Sequence, residues 1–155
     1  MLTINFVKIN KNARVPTRAT PLSVGFDLYA CIDEGGGTKF IDVGETVKIG
    51  TGIALGSMTD GDNIETQYGG FVFARSGLAT SKGLAPANKV GVIDVDYRGE
   101  IIVAIKNHSK YSQVISHCDR IAQLVFMPVI TPLFLEVGAI NDTDRGNGGF
   151  GSTGK

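Results

Sequence analysis

The sequence predicts an all-β domain, a distorted jelly-roll sandwich or barrel with one short helix and a flexible C-terminal arm, and three observations predict it. Apolar residues recur with a period of two in several short segments. Clusters of turn-forming residues separate those segments. No stretch sustains apolar residues at helical spacing for more than about two turns.

Taking the elements in order, Leu2, Ile4 and Phe6 alternate with Thr3 and Asn5, the pattern of a half-buried strand. Val47 and Ile49 alternate within ETVKIG, Ile101, Val103 and Ile105 face one way within GEIIVAIKN, and the run 121–126 (IAQLVF) continues the series. Turn signals lie between them: the glycine run 35–37, DGDN at 60–63, and the pair Gly69 and Gly70. The sole helix candidate is short, residues 77–82 (GLATSK). Many short strands with intervening turns favour a jelly-roll-like closure. Residues 1–138 therefore read as one β domain. Residues 139–155 (AINDTDRGNGGFGSTGK) carry too few apolar groups for a core and read as a mobile arm that orders on binding. At about 3.3 Å per residue the arm spans roughly 50 Å, far enough to cross onto a neighbouring subunit.

Composition narrows the function. The 155 residues are 43% hydrophobic, which suits one domain. Lys plus Arg equals Asp plus Glu at 15 each, so no overall field favours nucleic acid or an anionic membrane, and any phosphate binding must be local. The apolar run 121–135 is broken by Gln123, Pro128 and Pro132 and is too short to span a bilayer. Without a secretory signal, Cys31 and Cys118 read as free thiols in a reducing compartment, so the expected location is cytoplasmic, or intracellular in a host.

Several polar residues stand where packing alone would not put them. Asp27, in SVGFDLYA, and Gln123, in RIAQLVF, interrupt strand-like runs; each is either a satisfied structural group or a contact, Asp27 to hydrated Mg²⁺ and Gln123 to a phosphate. Arg75, Ser76 and Gly77 sit at the entry to the short helix, where free N–H groups favour an anion; an ordinary serine cap beside a surface arginine is the alternative. In NKVGVIDVDYRGEI (88–101) the runs on either side of Asp94 suggest a hairpin, with Asp94 either a turn residue or a general base that deprotonates a water. The tail GGFGSTGK imitates a Walker A loop at Gly149, Gly154 and Lys155 but lacks the hydroxyl residue and helix that should follow. Its arginine, glycines, hydroxyls and single aromatic ring suit closure over a nucleotide. DGDNIE (60–65) fails the calcium-loop pattern at Ile64, and His108 and His117 lack partners at zinc-ligand spacing.

In order, GFDLYA (25–30), RSGLA (75–79), NKVGVIDVDYRGEI (88–101), RIAQLVF (120–126) and RGNGGFGSTG (145–154) resemble the five signature motifs of the trimeric dUTPases, and the resemblance spans most of the chain. Val24 and Ala74 are mild departures that remove no reacting group. The resemblance implies a homotrimer that hydrolyses dUTP to dUMP and pyrophosphate with Mg²⁺, each site assembled from all three subunits. By matching position, Asp94 activates the water that attacks the α-phosphorus, and Asn88 with the backbone around Gly91 and Val92 reads uracil. Tyr97 packs under the deoxyribose. Arg75, Ser76, Gly77 and Gln123 hold the phosphates, and Asp27 contributes to the water shell of Mg²⁺. Arg145 reaches the γ-phosphate, Phe150 stacks on the base for about 1–3 kcal/mol, and Gly151, Ser152 and Thr153 complete the cover. Backbone groups matched to uracil would leave cytosine with mispaired buried groups.

Two other readings compete. The related dCTP deaminases share the fold but use a glutamate at the position that is Ala104 here, leaving deamination without a proton shuttle. A regulatory binding protein on the same scaffold would use dUTP to order the tail and switch a partner interface; Asp94 beside an intact arm argues for turnover.

Overall fold

In the computed structural model, residues 2–33, 37–60 and 67–149 are described. The period-two segments become strands. In chain order these are β1 (Leu2–Lys8), β2 (Phe26–Tyr29), β3 (Thr38–Ile41), β4 (Thr46–Asp60) and β5 (Gln67–Phe73), then the helix α1 (Ser76–Lys82), then β6 (Leu84–Pro86), β7 (Gly91–Ile93), β8 (Glu100–Asn107), β9 (Gln113–Ser116) and β10 (Arg120–Val129). They form two four-stranded antiparallel sheets, ordered β1-β4-β8-β6 and β2-β10-β5-β7, with β3 and β9 paired as a third. The sheets are open, so the arrangement is sandwich-like, not a closed barrel.

The expected alternation is clearest in β8, where Ile101, Val103 and Ile105 are buried and Ile102 between them is exposed. These side chains meet Leu28, Ile41, Ile53, Leu84, Ile121 and Leu124 in the core. Full burial of each contributes about 1.5–3 kcal/mol. β1 keeps its alternation only at first: the register with β4 shifts between Ile4 and Phe6, and Phe6 through Lys8 are all exposed.

Two expectations are corrected. Gly69 and Gly70 form no turn; both lie within β5, paired to β10, and Gly70 also pairs with β7. A Cβ on Gly69 would stand 3.1 Å from Val129 Cγ1, and one on Gly70 would stand 3.1 Å from Ile93 Cβ, so these glycines let neighbouring side chains lie close. Nor is the segment around Asp94 a hairpin of mutually paired strands. β7 pairs with β5 and β8 with β4 and β6, so residues 94–99 form a corner between the two main sheets. The corner ties itself: Tyr97 N–H donates to the Asp94 carbonyl (3.1 Å), and Arg98 Nη1 donates to the carbonyls of Val95 (2.8 Å) and Tyr97 (3.0 Å).

The helix starts one residue before the expected span. Arg75 is its N-cap and supplies no side-chain cap bond, and Gly83, at φ +65°, closes the C-terminus by donating its N–H to the Leu78 carbonyl. Of the expected glycine turn only Gly37 is described, Asp60 ends β4, and residues 61–63 lie outside the described residues. Beyond Val129, residues 130–149 carry neither helix nor strand.

Candidate active site

The ladders set Asp27 of β2 directly opposite Gln123 of β10, and Gln123 opposite Phe73 at the end of β5, from which the chain runs into Arg75 and α1. Asp27 is only 9% exposed, and its carboxylate is forked between two guanidinium groups. Arg75 Nε donates to Oδ1 at 2.7 Å and Arg120 Nη1 to Oδ2 at 3.2 Å. That pairing is what lets a strand carry a buried acid. Gln123 Nε2 donates to the Ala74 carbonyl at 2.9 Å, while its Oε1 lies 2.6 Å from where a Cβ on Gly25 would be.

Ser76 and Gly77 open the helix beside these groups, and the first helical bond runs from the Ala79 N–H to the Arg75 carbonyl (2.9 Å). The N–H groups of Ser76, Gly77 and Leu78 therefore have no acceptor within the helix. A Cβ on Gly77 would meet nothing within 4 Å, so packing within this chain does not require the glycine. Asp27, Arg75, Ser76, Gly77 and Gln123 thus line one cleft of about 360 Å³, together with Ala19, Ser23, Val24 and Gly25. One guanidinium group, held by Asp27 behind it, a primary amide and backbone donors at the helix start suit an anion.

Five other predicted residues line a second cleft of about 280 Å³: Asn88, Gly91, Val92, Asp94 and Tyr97, walled by Val72, Ile93, Glu100, Ile102, Val103 and Ala104. Its lining mixes apolar side chains with Asn88, Asp94, Tyr97 and Glu100 along the edge of β7, a setting for a flat ring that needs polar and backbone partners. Lys89 turns the chain at φ +66°, and a Cβ on Gly91 would sit 3.2 Å from Val72 Cβ and 3.3 Å from Asn88 Nδ2, so a side chain there would crowd the cleft. The Asp94 side chain is exposed at its rim. Tyr97 donates its hydroxyl to the Glu100 carbonyl (3.0 Å), which fixes its ring.

No residue lines both clefts, so a single chain does not bring the two predicted sets into one pocket. Arg145 lies in a turn of the tail, donating from Nε to the Gly148 carbonyl at 2.9 Å. Phe150, Gly151, Ser152 and Thr153 lie outside the described residues. Sequence reasoning gave no role to Arg120, although it opens the RIAQLVF run; the one signal was a cation at the start of an otherwise buried strand. No group of three or more His, Cys, Asp or Glu side chains among the described residues could hold a metal. Away from both clefts, bonds from the Asn12 and Asn10 amides hold the Asp33 carboxyl below the usual carboxylate range. Burial, ahead of the charges of Asp33 and Glu100, pushes the Cys31 thiol up.

An open antiparallel sandwich with a polar cleft at a helix start and a cleft of mixed polar and apolar lining along a strand edge suits a compound that carries both phosphate and a ring. Residues 11–154 match the family model of the dUTPases, and the chain belongs to the dUTPase family. The deoxyuridine 5'-triphosphate nucleotidohydrolase of Desulfitobacterium hafniense (strain DSM 10664 / DCB-2) is 47% identical over 151 residues, covering 97% of this chain and 94% of the relative. The dUTPase of Staphylococcus bacteriophage 80alpha, solved with dUPNHPP, superposes with a TM-score of 0.79 at 26% identity, covering 99% of each chain. The dUTPase of phage phi11 of S. aureus, solved as a mutant with a structural Mg(II) ion, shares the fold at a TM-score of 0.75 and 23% identity, covering 90% of this chain and 99% of that one.

Proposed function

We propose that this chain hydrolyses dUTP to dUMP and pyrophosphate, as a homotrimer whose active sites each join the anion cleft of one subunit to the ring cleft of another. The observation that carries the reading is the separation of the two clefts on one chain, one holding the candidate phosphate contacts and the other Asp94 with the candidate base and sugar contacts. Leu133 and Phe134, 98% and 101% exposed in the single chain, are further apolar surface for a neighbouring subunit to cover. No helix among the described residues is long and apolar enough to cross a membrane, and we place the activity in the cytoplasm.

Asn88 and the backbone at Gly91 and Val92 hold uracil, and Tyr97 packs beneath the sugar. Arg75, Ser76, Gly77 and Gln123 take the phosphate charge. The Asp94 carboxylate accepts a proton from water as the water oxygen bonds to the α-phosphorus. The bond from that phosphorus to its bridging oxygen breaks, and pyrophosphate leaves with the electron pair. The available donors are hard oxygens, which fit Mg²⁺ bound chiefly through substrate phosphates and water; Asp27, with both oxygens engaged by arginines, would act on it only through water. Bound there, Mg²⁺ supplies charge neutralisation on the triphosphate. The tail carrying Arg145, Phe150, Gly151, Ser152 and Thr153 closes over the nucleotide.

The test is product analysis with dUTP, dCTP, TTP and UTP in parallel, with and without Mg²⁺. Pyrophosphate should appear from dUTP with Mg²⁺, and no ammonia should be released from dCTP. Asp94→Asn should lower turnover by about 10²–10⁴-fold, the usual contribution of a positioned general base, and still bind dUTP. Intact dUTP after incubation of the wild type with Mg²⁺ would overturn the reading, and a normal rate in the variant would remove Asp94 from its role.

A further inference from the structure

We infer that Arg120 is a positioning residue for phosphate recognition: it occupies the second oxygen of Asp27 and thereby fixes how Arg75 meets an anion. The inference rests on the proposed hydrolysis of dUTP and adds to it a role for a residue to which neither the motif reading nor the reaction scheme gives one.

The register shows how Arg120 comes to be there. Asp27 pairs with Gln123 and Tyr29 with Arg120, so these residues share one face of the β2–β10 ladder. Gln123 and Arg120 are three positions apart, and in an unbroken strand they would point to opposite faces. The register shift between Arg120 and Ala122 resets the alternation and turns Arg120 back onto the face of Asp27 and Gln123. Ile121 and Ala122 are consequently both buried.

Three contacts then close a ring. Arg75 Nε donates to Asp27 Oδ1 at 2.7 Å, Arg120 Nη1 donates to Asp27 Oδ2 at 3.2 Å, and Arg75 Nη1 donates to the Arg120 carbonyl at 3.3 Å. Of the five donors of a guanidinium, two on Arg75 are thus committed, and its plane is set by partners on two strands. The remaining donors are those it can offer in the cleft it lines. Charge points the same way. Arg75 with Asp27 alone carries no formal net charge, whereas the set of Arg75, Asp27 and Arg120 carries one positive charge. Without Arg120, the freed oxygen of Asp27 would compete with phosphate for Arg75.

The test uses Arg120→Gln, which keeps a hydrogen bond to Asp27 but no charge, Arg120→Met, which keeps the aliphatic stem alone, and Arg120→Lys, which keeps charge. Arg120→Gln and Arg120→Met should raise the KM for dUTP and the Kd for magnesium pyrophosphate together, by about tenfold or more, as for loss of a charge-assisted contact, with kcat within a few-fold of wild type. Arg120→Lys should restore most of the loss. A purely structural role would lower the melting temperature and leave the KM and the pyrophosphate Kd of the folded protein unchanged, and that result in either neutral variant overturns the inference. A wild type that binds no magnesium pyrophosphate overturns it as well. A wild type that binds pyrophosphate but leaves dUTP intact defeats the hydrolysis reading instead, and calorimetric pyrophosphate titration of the variants still decides the role of Arg120.

Discussion

Gly25 shows how a single missing side chain serves the anion cleft. A Cβ there would come within 2.6 Å of Gln123 Oε1 and 3.3 Å of its Cβ, so Gly25→Ala must push the amide off its position and break its bond to the Ala74 carbonyl. We expect the variant to fold, to lose about 0.5–1.5 kcal/mol of stability with that bond, and to bind dUTP more weakly. Titration of dUTP into both proteins checks this, and wild-type affinity would mean that the amide has no part in phosphate binding. At this scale the residues that line the two candidate clefts stood out in the sequence, because Asp27, Gln123 and Asp94 are polar residues placed within strand-like runs. What composition could not reveal is partnership. The Arg75–Asp27 ion pair joins residues 48 positions apart, and the Arg120–Asp27 pair spans 93, contacts that exist only once β2, β5 and β10 are assembled.

At the scale of elements, legibility followed regularity. β8 alternates cleanly and its inward face was read correctly, whereas β4 runs to Asp60 although only its first residues showed the pattern. The reason lies in the register shift between Gly50 and Ala54, where buried Thr51 donates to the Ile101 carbonyl (2.8 Å) and Glu100 Oε1 accepts the Gly52 N–H (2.7 Å). Such stitching breaks the period of two that a sequence scan follows. The corner at residues 94–99 was misread for a related reason: adjacency along the chain suggested pairing, but β7 and β8 are drawn into different sheets by β5, β4 and β6. The end of α1 is set by Gly83. Its φ of +65° is costly for any residue with a Cβ, and a Cβ would stand 2.9 Å from both the Ser109 nitrogen and Cβ. Gly83→Ala should therefore cost about 1–2 kcal/mol from the backbone conformation alone, read as a lowered urea midpoint. An unchanged midpoint would show that Gly83 is dispensable to the helix end.

At the scale of the whole molecule, the segment after Val129 bears the most exposed apolar surface, with Ile130, Leu133, Phe134, Leu135 and Ile140 all outside the core. Covering each such side chain is worth about 1.5–3 kcal/mol, so in the proposed trimer a chain of 16.4 kDa would gain substantially by docking this segment on another copy. The Gly-rich stretch beyond it lacks that apolar content and has a different task in the proposed scheme, to close over nucleotide already held by the two clefts. The two parts of the tail should therefore separate by experiment. Leu133→Asp combined with Leu135→Asp should shift the mass measured by light scattering from about three chains toward one and abolish pyrophosphate release with it, since in the proposed scheme each site needs both kinds of cleft. Deleting residues 145–155 should leave the mass unchanged while crippling turnover. Full activity from a single-chain species would refute assembly of the site between subunits, and undiminished turnover by the truncated trimer would refute the closing arm.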